Sequence, residues 1–216
     1  MSTGSVKTLA VTLLFASTAL AAEPLRTVHD ATRNHTWVLQ SDGVYLQGKR
    51  FELPGWIYAG EPYACGPDLA VDAQGRAVVS SNVVPVLWRI DPSKSQVTTH
   101  ELALDTDVDK DVGFSGLVYA PDQGVFFAVS GVYGSLWRID PLLRRAQKIP
   151  LSAPIADACG LAIERTKTRR TVVLCPAGTT PRGWAVHLAP DQRSAYVLAR
   201  LCAQGDIPLK QTLTWR

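Results

Sequence analysis

Between Asp105 and Asp111 four carboxylates stand at alternate positions, in the run Asp105-Thr106-Asp107-Val108-Asp109-Lys110-Asp111. Oxygen ligands from successive odd positions are how a calcium loop gathers its ion, so Asp105, Asp107, Asp109 and Asp111 are the candidate metal residues and calcium the candidate ion. The run is not an EF-hand. Lys110 takes the place of the glycine that makes the sharp turn, and Gly116 stands where a bidentate glutamate belongs. A solvated acidic loop is the other reading of the same residues.

Four cysteines, Cys65, Cys159, Cys175 and Cys202, are widely spaced with no Cys-x-x-Cys among them. That spacing argues against a zinc site or a thioredoxin-type redox centre and for structural disulfides, which need an oxidising compartment. The N-terminus agrees. Met1 to Ala22 has an early positive charge at Lys7, an apolar stretch from Leu9 to Leu20 and a small-residue exit, Ala19-Leu20-Ala21-Ala22, the pattern of a cleavable secretory signal. Thr12, Ser17 and Thr18 interrupt the stretch, and it is shorter than the ~20 residues a spanning helix needs. Later apolar runs are shorter still, and no cysteine directly follows the signal to take a lipid. The expected product is a soluble periplasmic or secreted protein, residues 23–216, long enough for one domain.

Other chemistry is sparse. The sequence holds no Gly-x-Ser-x-Gly elbow, Walker loop, dinucleotide fingerprint or His-Glu-x-x-His motif. A net charge of +3 and scattered bases, apart from the run 164–170, argue against nucleic acid as a partner; that run reads as a solvated hairpin tip. Asp68, Asp72, Asp157 and Glu164 are the remaining carboxylates that the elements below could bring together.

Those elements follow from a repeat. Leu87-Trp88-Arg89-Ile90-Asp91-Pro92 returns unchanged as Leu136-Trp137-Arg138-Ile139-Asp140-Pro141, a shift of 49 residues. Repeats of this period indicate solenoids or propellers. The first unit predicts strands at Leu69–Asp72, Ala77–Ser81, Val86–Asp91 and Val97–Leu104. The second predicts them at Leu117–Ala120, Val125–Ser130, Ser135–Asp140 and Ala146–Leu151. A degenerate third has Leu161–Glu164, Thr171–Cys175, Trp184–Leu188 and Ala195–Leu201. A four-stranded sheet cannot bury both faces alone, so such units stack radially, which predicts an all-β fold, a small β-propeller of about four four-stranded blades. The fourth blade is assembled from the two ends, Thr36–Gln40 and Val44–Gln47 with the C-terminal Gln211–Arg216. Pairing these terminal strands closes the ring and removes exposed sheet edges. Five blades, with Lys49–Tyr63 contributing more than a connection, and an open array closing as a dimer are the alternatives.

The repeat, through Arg89-Ile90-Asp91-Pro92 and its copy, resembles the propeller superfamily of streptogramin-lyase-like and gluconolactonase-like proteins over roughly Leu69 to Leu201. The resemblance implies the scaffold. For the lyases it would further imply a metal-assisted elimination with histidine among the functional residues. At the corresponding starts of the inner strands this sequence has Cys65-Gly66-Pro67, Phe114-Ser115-Gly116 and Cys159-Gly160-Leu161, with no histidine.

Antiparallel neighbours put every start of a first strand, and every loop between second and third strands, on one face of the disc. All four cysteines fall near that face. Three pairings are possible; the hairpin opposition of Cys159 and Cys175 favours a bond between them, with Cys65 to Cys202 by elimination. The same face receives Trp56, Tyr58 and Tyr63 from the connection before the first unit, and Asn82, Tyr133 and Arg182 from loops. Aromatic planes with a few donors are what ligand and partner sites offer. The expectation is an exported, non-catalytic propeller that binds a small molecule or protein through this face. The alternative is a metal-assisted lyase or hydrolase with carboxylates at the central tunnel.

Overall fold

The computed structural model describes residues 23–60, 65–105, 112–153, 155, 160–165, 170–174, 182–188, 195–201 and 211–212, and from residue 162 onward their backbone alone. Every element among them is a strand. The first sheet holds β1 (Arg26–Asp30), β2 (His35–Gln40), β3 (Gly43–Leu46) and β4 (Lys49–Phe51). The second holds β5 (Leu69–Val71), β6 (Ala77–Ser80), β7 (Val86–Asp91) and β8 (Gln96–Glu101). After the short β9 (Ala103–Leu104), the third is built from β10 (Gly116–Ala120), β11 (Val125–Ser130), β12 (Ser135–Ile139) and β13 (Arg145–Ile149). The fourth comprises β14 (Ala162–Arg165), β15 (Arg170–Leu174), β16 (Arg182–Leu188) and β17 (Ala195–Leu201), and β18 (Gln211–Thr212) follows. Within each set of four, successive strands pair antiparallel, and the first strands of adjacent sheets lie against one another.

The strands of the three units anticipated from sequence are present, with shifted ends. The expected strand Val97–Leu104 is in fact two. Leu102 turns inward, its N–H donating to the Pro85 carbonyl at 3.0 Å, and Ala103–Leu104 crosses to pair in parallel with β13 of the next sheet. The first sheet corrects the sequence reading further: all four of its main strands come from residues 26–51. β1 was not foreseen because Arg-Thr-Val-His-Asp contains only one strongly apolar residue, Val28. β4 falls within Lys49–Tyr63, which the four-blade reading makes a connection. The C-terminal strand does meet the N-terminal ones, as a two-residue parallel pairing of Val28 with Gln211 and His29 with Thr212. Residues 213–216 lie outside the described residues.

Packing follows the alternation of the repeat. Trp88 and Ile90 face the first sheet, in a cluster with Val28, Trp37, Leu39 and Val44, while Leu87 faces the third sheet. Trp137 and Ile139 face back to the second sheet beside Phe114, and Leu136 faces forward with Ile155 and Leu161. The two repeat tryptophans also satisfy their indole N–H groups: Trp88 donates to the Pro54 carbonyl at 2.8 Å and Trp137 to Ser135 Oγ at 2.9 Å. Fully burying one large apolar side chain stabilises by about 1.5–3 kcal/mol, so these stacked faces dominate cohesion. β6 and β11 are buried along their whole length, as sheets covered on both faces require. β1 and β2 instead alternate: Val28, Trp37 and Leu39 are buried, whereas Thr27, His29 and Val38 are half-buried and Thr36 exposed.

Candidate functional site

Asp68 stands at the start of the inner strand β5 and is fully enclosed. Its Oδ1 accepts from the Leu69 N–H at 2.8 Å and pairs with Arg26 Nε of the first sheet at 2.8 Å. Its Oδ2 accepts from the Leu117 N–H of the third sheet at 2.8 Å. One carboxylate therefore links the starts of β1, β5 and β10. Burial pushes this carboxyl above its usual range, against the pull of the Arg26 charge and the two amides. Close beside it, Ser80 Oγ donates to the Phe114 carbonyl at 2.8 Å and accepts from the Asp68 N–H at 2.9 Å.

The opposite ends of the same three strands surround a cavity of about 330 Å³, lined by Asp30, Thr32, Arg33, Val71, Asp72, Ala73, Tyr119 and Pro121. Each carboxylate here folds back on its own turn. Asp72 Oδ1 accepts from the N–H groups of Gln74 at 2.9 Å and Arg76 at 3.0 Å, and Oδ2 pairs with the Arg76 guanidinium at 2.7 Å. Asp30 Oδ1 accepts from the Thr32 N–H at 3.0 Å and the Thr32 hydroxyl at 2.5 Å, and Oδ2 from Arg33 Nη1 at 2.9 Å. These are side-chain caps of tight turns. Burial raises the Asp30 carboxyl, but the bonds from Thr32 and Arg33 outweigh it and leave the group below its usual value. Arg33 then reaches the neighbouring sheet, donating from Nη2 to the Ala73 carbonyl at 2.6 Å. It lies over Gly75, where a Cβ would meet its Cδ at 2.6 Å. From the third sheet Tyr119 lines the same cavity, and burial holds its pKa up, so it stays protonated.

The residues singled out from sequence land elsewhere. Trp56 and Tyr58 stack at 4.6 Å between centroids on the cysteine-bearing face, and Trp56 Nε1 donates to the Ser80 carbonyl at 3.1 Å. Asn82 is fully engaged in holding the preceding connection. It donates to the carbonyls of Ala59 at 2.9 Å and Cys65 at 2.8 Å and accepts from the Ala59 N–H at 2.8 Å. Gly113 makes that junction possible: a Cβ there would sit 2.0 Å from the Asn82 carbonyl carbon. Tyr133 is exposed beside the still more exposed Val132, with Ile57 and Val83 also exposed on this face. Arg182, expected in a loop, instead opens β16, paired with Leu201. Tyr63 lies outside the described residues.

Asp105 is exposed and serves the sheet edge: its N–H donates to the Ala146 carbonyl at 3.1 Å and its Oδ1 accepts from the Lys148 N–H at 2.9 Å. Asp107, Asp109 and Asp111 lie outside the described residues. Cys65 is a half-cystine and no described cysteine is free. Cys159, Cys175 and Cys202, and with them the pairing, lie outside the described residues.

The cavity was missed from sequence, although a signal existed. Asp30-Ala31 and Asp72-Ala73 are equivalent strand ends, each followed within four residues by an arginine, and the third sheet has Ala120-Pro121-Asp122 at the same point. With β1 unrecognised, Asp30 had no partner in the repeat.

Stacked four-stranded sheets whose inner strands lie side by side define the scaffold as that of a β-propeller. Solved structures with this scaffold include virginiamycin B lyase from Staphylococcus aureus, at 12% identity and TM-score 0.57 over 84% of this chain and 56% of that one. The major Malassezia sympodialis allergen Mala s 1 follows at 14% identity and TM-score 0.51, over 80% and 54%. An auxiliary nutrient binding protein from Bacteroides thetaiotaomicron matches at 11% identity and TM-score 0.52, over 84% and 43%. The chain thus spans about half the length of these proteins or less. The resemblance to streptogramin-lyase-like propellers holds at the level of the scaffold. No family model and no curated protein matches the sequence.

Proposed function

We propose that this chain is an exported, non-catalytic binding propeller. In this reading its four sheets are the blades, the β18–β1 pair is the seam between them, and a small ligand occupies the cavity among Asp30, Tyr119 and Pro121. The observation that carries the reading is the state of the described carboxylates around the inner strands. Asp30, Asp68 and Asp72 are all bonded to amides and arginines of the fold, which suits a scaffold better than general acid–base or metal chemistry. The secretory pattern of Met1–Ala22 supports export. One neighbour in fold is described as a nutrient binding protein. The metal-assisted lyase or hydrolase would need carboxylates such as Asp157 and Glu164, whose side chains are not described. The exposed Val132 and Tyr133 favour a protein partner on the opposite face as the second reading.

Equilibrium dialysis of the secreted protein against a mixture of small metabolites, read by mass spectrometry, tests the proposal. A compound retained by the wild type, recovered unchanged and lost from Ala73→Leu supports it. Retention of nothing, or chemical conversion of what is retained, overturns it.

A further inference from the structure

Resting on that reading, we infer that the cavity at the ends of β1, β5 and β10 takes a neutral, polyhydroxylated ligand of the saccharide class. The argument begins with charge. Asp30 is neutralised by Arg33 at 2.9 Å and Asp72 by Arg76 at 2.7 Å, each within a single turn. Each carboxylate of the lining is therefore matched by an arginine of its own turn, and the lining offers no unmatched charge. An ionic ligand entering it would give up hydration without gaining a counter-ion, a cost that a neutral molecule avoids.

Hydrogen-bonding capacity points the same way. The phenol of Tyr119 lines the cavity beside Ala73 and, its pKa raised by burial, remains protonated. A protonated phenol offers one O–H donor and acceptor lone pairs, so it can meet a ligand hydroxyl in either sense. The Ala73 carbonyl accepts one bond from Arg33, and a carbonyl has a second lone pair for a ligand hydroxyl. A molecule whose groups both donate and accept matches this pair. Around it the wall is apolar, with Val71, Ala73, Pro121 and the Tyr119 ring supplying surface for C–H groups. The volume of about 330 Å³ falls at the small end of the range for ligand pockets, ~300–1,000 Å³. Arg33, bridging the turns of two sheets, fixes the rim in advance, which reduces the ordering cost of binding.

The test uses the full secreted protein and isothermal titration with D-glucose, maltose and cellobiose, alongside glucose 6-phosphate and glucosamine as charged counterparts. At least one neutral sugar should saturate the protein, and the charged analogue of the same ring should bind about tenfold more weakly or worse. Tyr119→Phe should weaken the sugar about five- to tenfold, the loss of one neutral hydrogen bond, at an unchanged melting temperature. Ala73→Leu, which fills the cavity, should abolish binding. Absence of binding by all three neutral sugars at tens of millimolar, or tighter binding of a charged analogue, overturns the inference. If dialysis retains some other compound through this cavity, the saccharide inference fails and the binding function stands. If a sugar binds but responds to Tyr133→Ala and not to Tyr119→Phe, the assignment to this cavity fails. If nothing is retained in either experiment, both fail.

Discussion

Where β1, β5 and β10 begin, Asp68 reaches across sheets to Arg26 and to the Leu117 amide, partners far away in sequence. Where the same strands end, Asp30 and Asp72 bond to groups two to four residues along their own turns. Both ends carry nearly buried carboxylates, yet the outcome differs. A carboxylate that bridges strands draws them together and excludes space, whereas carboxylates that cap their own hairpins leave each turn self-sufficient and a gap between them. The cavity lies at the second kind of end.

The largest expected effect breaks the bridged end. Asp68→Ala removes the carboxylate that pairs with the half-buried Arg26 and takes the acceptor from the Leu69 and Leu117 amides, so urea unfolding should show a loss of about 3–5 kcal/mol. A loss below about 1 kcal/mol would mean that the bridge is replaceable by water. The same carboxylate sets a pH slope. Its folded pKa lies above the ordinary 3.8, so the folded state holds its proton more tightly, and stability falls as pH rises from 3.8 through the raised value. Asp30 acts in reverse: its contribution is present above 3.8 and is lost as pH falls through its lowered value. Asp68→Asn should flatten the first slope and leave the second, as followed by melting temperature against pH.

Next in size is Gly113→Ala. The new methyl would overlap the Asn82 carbonyl and the Val83 amide nitrogen, at 2.2 Å or closer, so backbone rather than a flexible side chain must move, at a cost of about 1–3 kcal/mol. Thermal unfolding checks it, and a change in Trp56 fluorescence would show that the connection held by Asn82 has loosened.

Smaller again is Asp72→Ala at the capped end, expected at about 1–2 kcal/mol because its freed amides sit in a turn that water can reach. A loss equal to that of Asp68→Ala in the same assay would erase the contrast between bridging and capping. The smallest effect belongs to Tyr133→Ala, which should change stability by no more than about 0.5 kcal/mol. A larger loss would show that the exposed cysteine-bearing face contributes to the fold itself.

Most strands were legible because the repeated Leu-Trp-Arg-Ile-Asp-Pro alternates side chains between two faces, and both faces of a stacked sheet need bulky apolar groups. β1 was not, since Val28 is the one strongly apolar residue of its five, and with Thr27 and His29 on either side of it the period-two signal fades. Asn82 and Trp56 show the limit for the site. As residue types they suit ligand contact, but both place hydrogen bonds on carbonyls of the chain itself, and nothing in a local pattern distinguishes a donor facing a ligand from one facing a loop.

From the sequence alone came the all-β class, the period of 49 residues, the turns and the face each tryptophan buries, because these follow from alternation and turn chemistry within a few residues. Tertiary structure alone decided that Asp68 is a bridge and Asp72 a cap, and that the cavity opens at the far end of the inner strands. Those outcomes depend on Arg26, Leu117, Ala73 and Tyr119 arriving from different sheets, and the stacking that brings them together acts over separations that no local pattern records.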